Sequence, residues 1–289
     1  MTPDKANWTV ITGSTGGIGS ELAKSLAERG QDLILLNRSE QKSKAQKAQL
    51  IADHAGLQVE TVIADLMDVS QTGRAIEAIN ALPGRVDALY NNSGVLTSEK
   101  ILSKQGYESQ FAVNVLAPYQ LTLGLREKME RPSSDKAGMV VLFSSSAVNP
   151  QKALKLGELV NPETVGGLMA TYAQSKLAVT ALAPALADEL KAHNILIRAI
   201  DPGATKTAMT TSGNSAMPRP LQWLAPLLFS PAYKQAAKIL DSVDPAAFDG
   251  RTGIFVANRK EKRMPKPAAE KTTQADLLAL LERSLNMPE

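Results

Sequence analysis

Short apolar runs alternate with longer segments of helical spacing along nearly the whole chain. Residues 8–12, 33–36, 59–64, 86–90, 139–143, 195–200 and 254–257 read as strands. Residues 18–29 carry Leu22 and Leu26 on one side and stop at Gly30, a helix with a glycine terminator. Residues 39–54 are polar and alanine-rich, an exposed helix, and further helices are expected around 70–81, 104–130 and 171–191. The run 33–36 is apolar without alternation, which suits a strand buried on both faces. This β-α-β-α rhythm predicts an α/β protein: one doubly wound parallel sheet of about seven strands with helices on both faces. In such sheets ligands bind beyond the carboxyl ends of the strands. Gly13 follows the first strand there, 91–94 the fourth, 144–146 the fifth and Pro202-Gly203 the sixth.

The first of these sites is the most explicit. Thr12-Gly13-Ser14-Thr15-Gly16-Gly17-Ile18-Gly19 separates the first strand from the first helix. Glycines permit tight turns and close approach of backbone to a pyrophosphate, and the helix start offers free N–H groups. The spacing is Gly-x-x-x-Gly-x-Gly rather than Gly-x-Gly-x-x-Gly, and no Gly-Lys-Ser/Thr ending disposes the loop to triphosphate cleavage. The second strand ends in Asn37-Arg38. An acidic residue there would bind the ribose hydroxyls of NAD. A neutral amide followed by an arginine suits a phosphate, which favours NADP (NADPH) over NAD.

Tyr172-Ala173-Gln174-Ser175-Lys176 puts a phenol and an ammonium one helical turn apart on one face. A phenol near its ordinary value of ~10 is a poor proton exchanger at neutral pH. A neighbouring cation lowers that value by roughly 1–3 units, so Lys176 is expected to lower the Tyr172 pKa.

Composition removes other chemistries. With no cysteine, thiolate catalysis, disulfides and cysteine-ligated metals are excluded, and no metal centre is expected. His54 and His193, the two histidines, read as surface residues. The net charge of +3 is dispersed, with no nucleic-acid footprint. No run approaches the ~20 apolar residues of a membrane span and the first eight residues are polar, so a soluble cytoplasmic protein is the expectation.

With loop, serine cluster and Tyr-x-x-x-Lys together, residues 8–257 resemble the short-chain dehydrogenase/reductase family and its Rossmann fold. Within it the chain is most similar to the retinol dehydrogenase and WW-domain-containing oxidoreductase group. That group too has a long segment between catalytic serine and tyrosine, here 27 positions from Ser145 to Tyr172, and a leucine-rich end.

The resemblance implies hydride transfer between NADP(H) and an alcohol or carbonyl. Gly13, Ser14, Thr15, Gly17, Ile18, Gly19 and Arg38 would hold the nucleotide, and Asp65 and Leu66 would contact the adenine. Asn92, Ser93 and Gly94 would line the cofactor. Asn114 would hold a relay water in a helix distortion, and Ser145 the substrate oxygen, with a register of Ser144 or Ser146 still open. Tyr172 would exchange the proton, Lys176 would bind the nicotinamide ribose, and Pro202, Gly203 and Thr207 would position the carboxamide.

Residues 1–257 are then the catalytic domain. Residues 206–230 read as a substrate flap whose Met209, Met217, Trp223, Leu227 and Phe229 favour an apolar alcohol, aldehyde or ketone. A helix packed on the body is the other reading of that segment. Residues 258–289 read as a basic, proline-punctuated link and a last helix docked on the same domain. Pro184, inside the helix bearing Tyr172, speaks against subunit pairing through that helix, and a homo-oligomer stays open. Two other functions fit the same fold: a nucleotide-sensing binding protein without turnover, and an epimerase or dehydratase that never releases its cofactor.

Overall fold

β1 (Asn7–Thr12) is buried on both faces after its first residue, and the rest of the protein is layered on it. The structure is a computed structural model and describes residues 7–162, 167–205 and 230–286, with only the backbone of 167–169. Eight strands form one sheet in the order β3-β2-β1-β4-β5-β6-β7-β8. They are β2 (Asp32–Asn37), β3 (Val59–Ile63), β4 (Arg85–Asn91), β5 (Gly138–Phe143), β6 (Ile195–Asp201), β7 (Ile254–Ala257) and β8 (Lys260–Lys262). The first seven are parallel and β8 is antiparallel to β7. Strand order reverses between β1 and β4, which opens a crevice at the carboxyl ends of those two strands.

Side chains of successive strand residues point to opposite faces, so each strand feeds two cores. Val10, Ile34, Leu89, Val140 and Ile197 face one way. They pack under α3 (Val69–Ala81), the helical run 109–124 and α8 (Gly167–Ala192). Ile11, Leu33, Tyr90, Val141 and Ile200 face the other way. They pack under α1 (Gly17–Ala27), α2 (Glu40–Asp53) and α9 (Ala232–Val243).

The helix expected from residue 104 starts later. Residues 101–108 are a loop closed by a Leu102–Glu108 bridge, and the buried Glu108 carboxylate accepts the N–H groups of Gln110 and Phe111 at 2.8 and 3.1 Å. Glu108 thereby caps α4 (Ser109–Phe111), and the chain passes through a π turn at Ala112–Leu116 into α5 (Ala117–Gly124). Short helices α6 (Arg126–Met129) and α7 (Leu156–Val160) precede α8, which runs through Pro184 as one element.

α9 and β8 lie outside the sequence expectation. α9 buries Ala236, Ile239, Leu240 and Val243, an i, i+3, i+4, i+7 stripe packed on α1. β8 lies within the expected link: Asn258 and Arg259 both have positive φ (51° and 61°), the geometry of a two-residue hairpin, so the chain turns straight back along β7. Its Lys-Glu-Lys sequence suits a sheet edge. The closing helix Lys271–Leu285 lies against α8 with Leu277 and Leu281 fully buried.

Candidate active site

The glycine loop leaves β1 with Gly13 at φ +66° and enters α1 with Gly17 at φ +55°. At Gly19 a Cβ would lie 2.3 Å from the Gly13 carbonyl oxygen, so only hydrogen fits between helix and turn. α1 starts at Gly16 without a side-chain cap, which leaves its first N–H groups free for an anion. Around Gly16 no atom lies within 4 Å of a built Cβ. Open space over uncapped N–H groups fits a pyrophosphate.

Ser14 is turned away from that space. It is fully buried; its N–H donates to Asn37 Oδ1 (2.7 Å) and its Oγ accepts from Asn37 Nδ2 (2.9 Å) and donates to Gln46 Oε1 (2.8 Å). Asn37 and Gln46 therefore brace the loop from the second strand and helix, and Gln46 was not legible as a site residue. Arg38 stands next to Asn37 with its side chain 79% exposed and its guanidinium 3.9 Å from Asp65. An exposed pair at that distance contributes little, so the guanidinium is free to meet an anion. Asp65 accepts the Met67 N–H at 3.0 Å, and Leu66 is buried in the sheet core.

At the end of β4, Asn92 Nδ2 donates to the carbonyls of Thr12 (2.9 Å) and Gly13 (3.1 Å). The Ser93 N–H donates to Thr12 Oγ1 (2.8 Å). These bonds tie the fourth strand to the glycine loop across the crevice. A Cβ on Gly94 would lie 3.3 Å from Asn114 Oδ1 and 3.5 Å from Lys176 Nζ. Asn114 sits in the π turn, where its Oδ1 accepts the Val95 N–H (2.8 Å) and its Nδ2 donates to Val95 O and Ser175 Oγ (both 3.0 Å).

The three serines after β5 divide their work. Ser144 is buried with Oγ 2.6 Å from Thr180 Oγ1. Ser145 caps a short 3-10 turn by accepting the Ala147 N–H (3.3 Å), and its hydroxyl acts on the Tyr172 phenol in the sense that lowers its pKa. The Ser146 backbone acts on the Asp201 carboxyl in the sense that lowers its pKa, against burial, the largest effect, which raises it.

The electrostatics of Tyr172 correct the sequence expectation. Its pKa lies above the ordinary phenol value: burial raises it most, the Ser145 hydrogen bond lowers it, and the Asp201 charge raises it. Lys176 does not lower it. The ammonium is 5.8 Å from the ring centroid and donates to the Phe143 carbonyl (2.7 Å). Complete burial brings Lys176 itself down to about 8, with Asp201 acting in the opposite sense. At neutral pH the phenol is therefore protonated and the lysine still charged.

β6 ends in Asp201, whose Oδ1 accepts the Gly203 N–H at 2.9 Å across Pro202. Gly203 has φ +77°, and α9 approaches so closely that a Cβ there would meet Gln235 Nε2 at 3.0 Å. Asp201 was not singled out by sequence, since an acidic residue before Pro-Gly reads as an ordinary turn. Thr207 and residues 206–229 of the expected flap lie outside the described residues; Thr205 and Ser230 bridge in parallel where the described chain departs and returns. No described helix is long and apolar enough to cross a membrane.

The short chain dehydrogenase family model matches residues 7–218. An uncharacterized oxidoreductase of Schizosaccharomyces pombe is 29% identical over 206 residues, which cover 70% of this chain and 61% of that protein. Mouse retinol dehydrogenase 13 is 27% identical over 90% of this chain and 78% of its own length. Zebrafish polyprenol dehydrogenase is 25% identical over 93% and 83% respectively. The fold agrees with that of a Mycobacterium paratuberculosis protein at TM-score 0.76, covering 98% of this chain and 94% of the other at 24% identity. A Burkholderia cenocepacia short chain dehydrogenase in complex with NADP gives TM-score 0.67 at 23% identity, over 89% and 97% of the two chains. With the glycine loop, the serine turn and the Tyr172–Lys176 pair gathered at one sheet edge, and with a family match over most of its length, the chain belongs to the short-chain dehydrogenase/reductase family of NAD(P)-dependent oxidoreductases.

Proposed function

We propose that this chain interconverts an alcohol and a carbonyl with NADP(H). The observation that carries the reading is the Tyr172 phenol set one helical turn from the buried Lys176 ammonium, which lies 5.8 Å from the ring centroid and donates to the Phe143 carbonyl at 2.7 Å. When bound, NADPH supplies the hydride. Ser145 and Tyr172 donate hydrogen bonds to the substrate oxygen, where negative charge builds during transfer. Tyr172 gives that oxygen its proton, and Lys176 places a positive charge beside the exchange. Asn114 orients the groups between Val95 and Ser175.

The nucleotide would lie over Gly13, Thr15, Gly17, Ile18 and Gly19, with Ser14 bracing the loop from below. Asp65 and Leu66 would flank the adenine and Asn92, Ser93 and Gly94 the ribose side. Pro202, Gly203 and Thr207 would position the carboxamide. NADP is supported by the exposed Arg38 where an acidic residue would favour NAD, and by solved relatives of this fold bound to NADPH or NADP. The names of the similar retinol and polyprenol dehydrogenases support an apolar, isoprenoid-like alcohol or aldehyde as substrate class.

The test is NADPH consumption over aldehydes and ketones of graded size and apolarity. Tyr172→Phe should lower turnover about 10²–10⁴-fold with NADPH affinity retained, and Arg38→Asp should abolish the preference for NADPH over NADH. Near-normal turnover of Tyr172→Phe would overturn the reading.

A further inference from the structure

Asp201 is a charged group at the centre of the site with no part in the proton exchange described above. Along β6, Ile195, Ile197 and Ala199 face α8 and Leu196 and Ile200 face α1 and α9. By alternation Asp201 faces α8, the side from which Tyr172 and Lys176 arrive. Its carboxylate is held by the Gly203 N–H at 2.9 Å, and the Ser144 N–H donates to the carbonyl of the preceding residue, Ile200, at 2.8 Å. It thus lies at the turn after β6, beside the serine turn after β5. The charged side chain that acts on it is Lys176; Lys238 and Arg259 line a cavity with Asp201 on the α9 side, Arg259 being paired with Asp241, while Ala257 and Gln235 are neutral.

This inference rests on the proposed function. A carbon about to exchange hydride must lie about 3–3.5 Å from the nicotinamide ring while its oxygen meets Ser145 and Tyr172. Ser144 is hydrogen-bonded to Ile200, and each is one residue from Ser145 and Asp201 respectively, so the carboxylate is on the order of 10 Å or less from that ring. Losing a hydride (one proton with two electrons) leaves the ring with a positive charge; the hydride goes to the carbonyl carbon and the Tyr172 proton to its oxygen. Lys176, a buried cation in the same site, opposes positive charge on the ring. We propose that Asp201 offsets Lys176 and stabilises the oxidised nicotinamide, so that the site is biased toward giving hydride up, the carbonyl-reducing direction.

The sign follows from the charges. Going from the uncharged dihydronicotinamide ring of NADPH to the transition state the ring gains positive charge, so Asp201 lowers the barrier to reduction. Going from NADP+ the ring loses charge, so Asp201 raises the barrier to oxidation. Asp201→Asn keeps an oxygen acceptor for Gly203 and removes the charge. Dissociation constants for NADP+ and NADPH, read by protein and NADPH fluorescence, should show NADP+ weakened about three- to tenfold relative to NADPH. Single-turnover hydride transfer should slow for reduction and quicken for oxidation. Asp201→Ser, a second neutral acceptor, should shift the ratio the same way. Equal weakening of both nucleotides, or equal slowing of both directions, would mean that Asp201 only fastens the turn, and would overturn the inference while leaving the oxidoreductase reading intact. Failure of the unaltered protein to bind either nucleotide would overturn both.

Discussion

Lys176 shows what a buried ammonium costs the fold. It is buried on α8 and its pKa falls from the usual lysine range to about 8, because removal from water disfavours the ammonium. Between about pH 8 and the unfolded value near ~10.4 the unfolded chain holds a proton that the folded chain has released, so stability rises with pH across that window. Below pH 8 both states hold the proton and the full cost of burying the charge is present, on the order of 3 kcal/mol. Lys176→Met removes this dependence. Denaturant melts of the two proteins at pH 7 and pH 10 should show the unaltered protein gaining on the variant by an amount of that order; a gap independent of pH would count against a buried ammonium. The pair itself was legible, because four residues on a helix fix which side chains are neighbours. The sign of the Tyr172 shift was not, because burial and the Asp201 carboxylate act from elements 29 or more residues away along the chain or from the sheet.

At the scale of an element, the glycine loop separates packing from ligand approach. A Cβ on Gly19 runs into backbone at Gly13, and the better helix propensity of alanine, about 1 kcal/mol, cannot offset a 2.3 Å contact with a carbonyl. Gly16 has extended backbone at φ −170° and open space around it. Gly19→Ala should therefore lower both the melting temperature and NADPH affinity. Gly16→Ala should leave the melting temperature within about 2 °C, as expected of a substitution within ~0.5 kcal/mol, while weakening NADPH by crowding the phosphate space. Thermal melts and fluorescence titrations of the two variants separate these outcomes, and a Gly19→Ala protein with unaltered stability would contradict the close approach. The loop was readable because glycine spacing is local. β8 was hidden because its hairpin uses Asn258-Arg259 instead of a glycine turn, and its charged residues look like linker until β7 supplies a partner.

For the whole molecule, the closing helix is part of the core beneath the active site. Leu277 and Leu281 are fully buried against the face of α8, and the Tyr107 hydroxyl donates to the Ser284 carbonyl at 2.7 Å, tying that helix to the loop before Glu108. Leu281→Ala should cost about 2–5 kcal/mol. In a chain of this size that is a fall in melting temperature of several to about 15 °C, with kcat/KM per folded molecule little changed at low temperature. A melting temperature within a degree of the unaltered protein would show that the helix does not support α8. Its leucine stripe marked it as a docking helix, but not its partner, since an apolar face specifies burial and not the surface that covers it.

The succession of strands and helices, and the groups collected at their carboxyl ends, were determined by the sequence alone. They follow from apolar periodicity, glycine placement and helical spacing, all properties of a few adjacent residues. The tertiary structure alone decided that Ser144 turns to Thr180, that Ser14 faces inward to Asn37 and Gln46, that Asp201 acts on Lys176, and that the closing helix lies on α8. Each depends on residues far apart in the chain being brought into one low-dielectric space, where burial and charge act through distance and not through sequence separation.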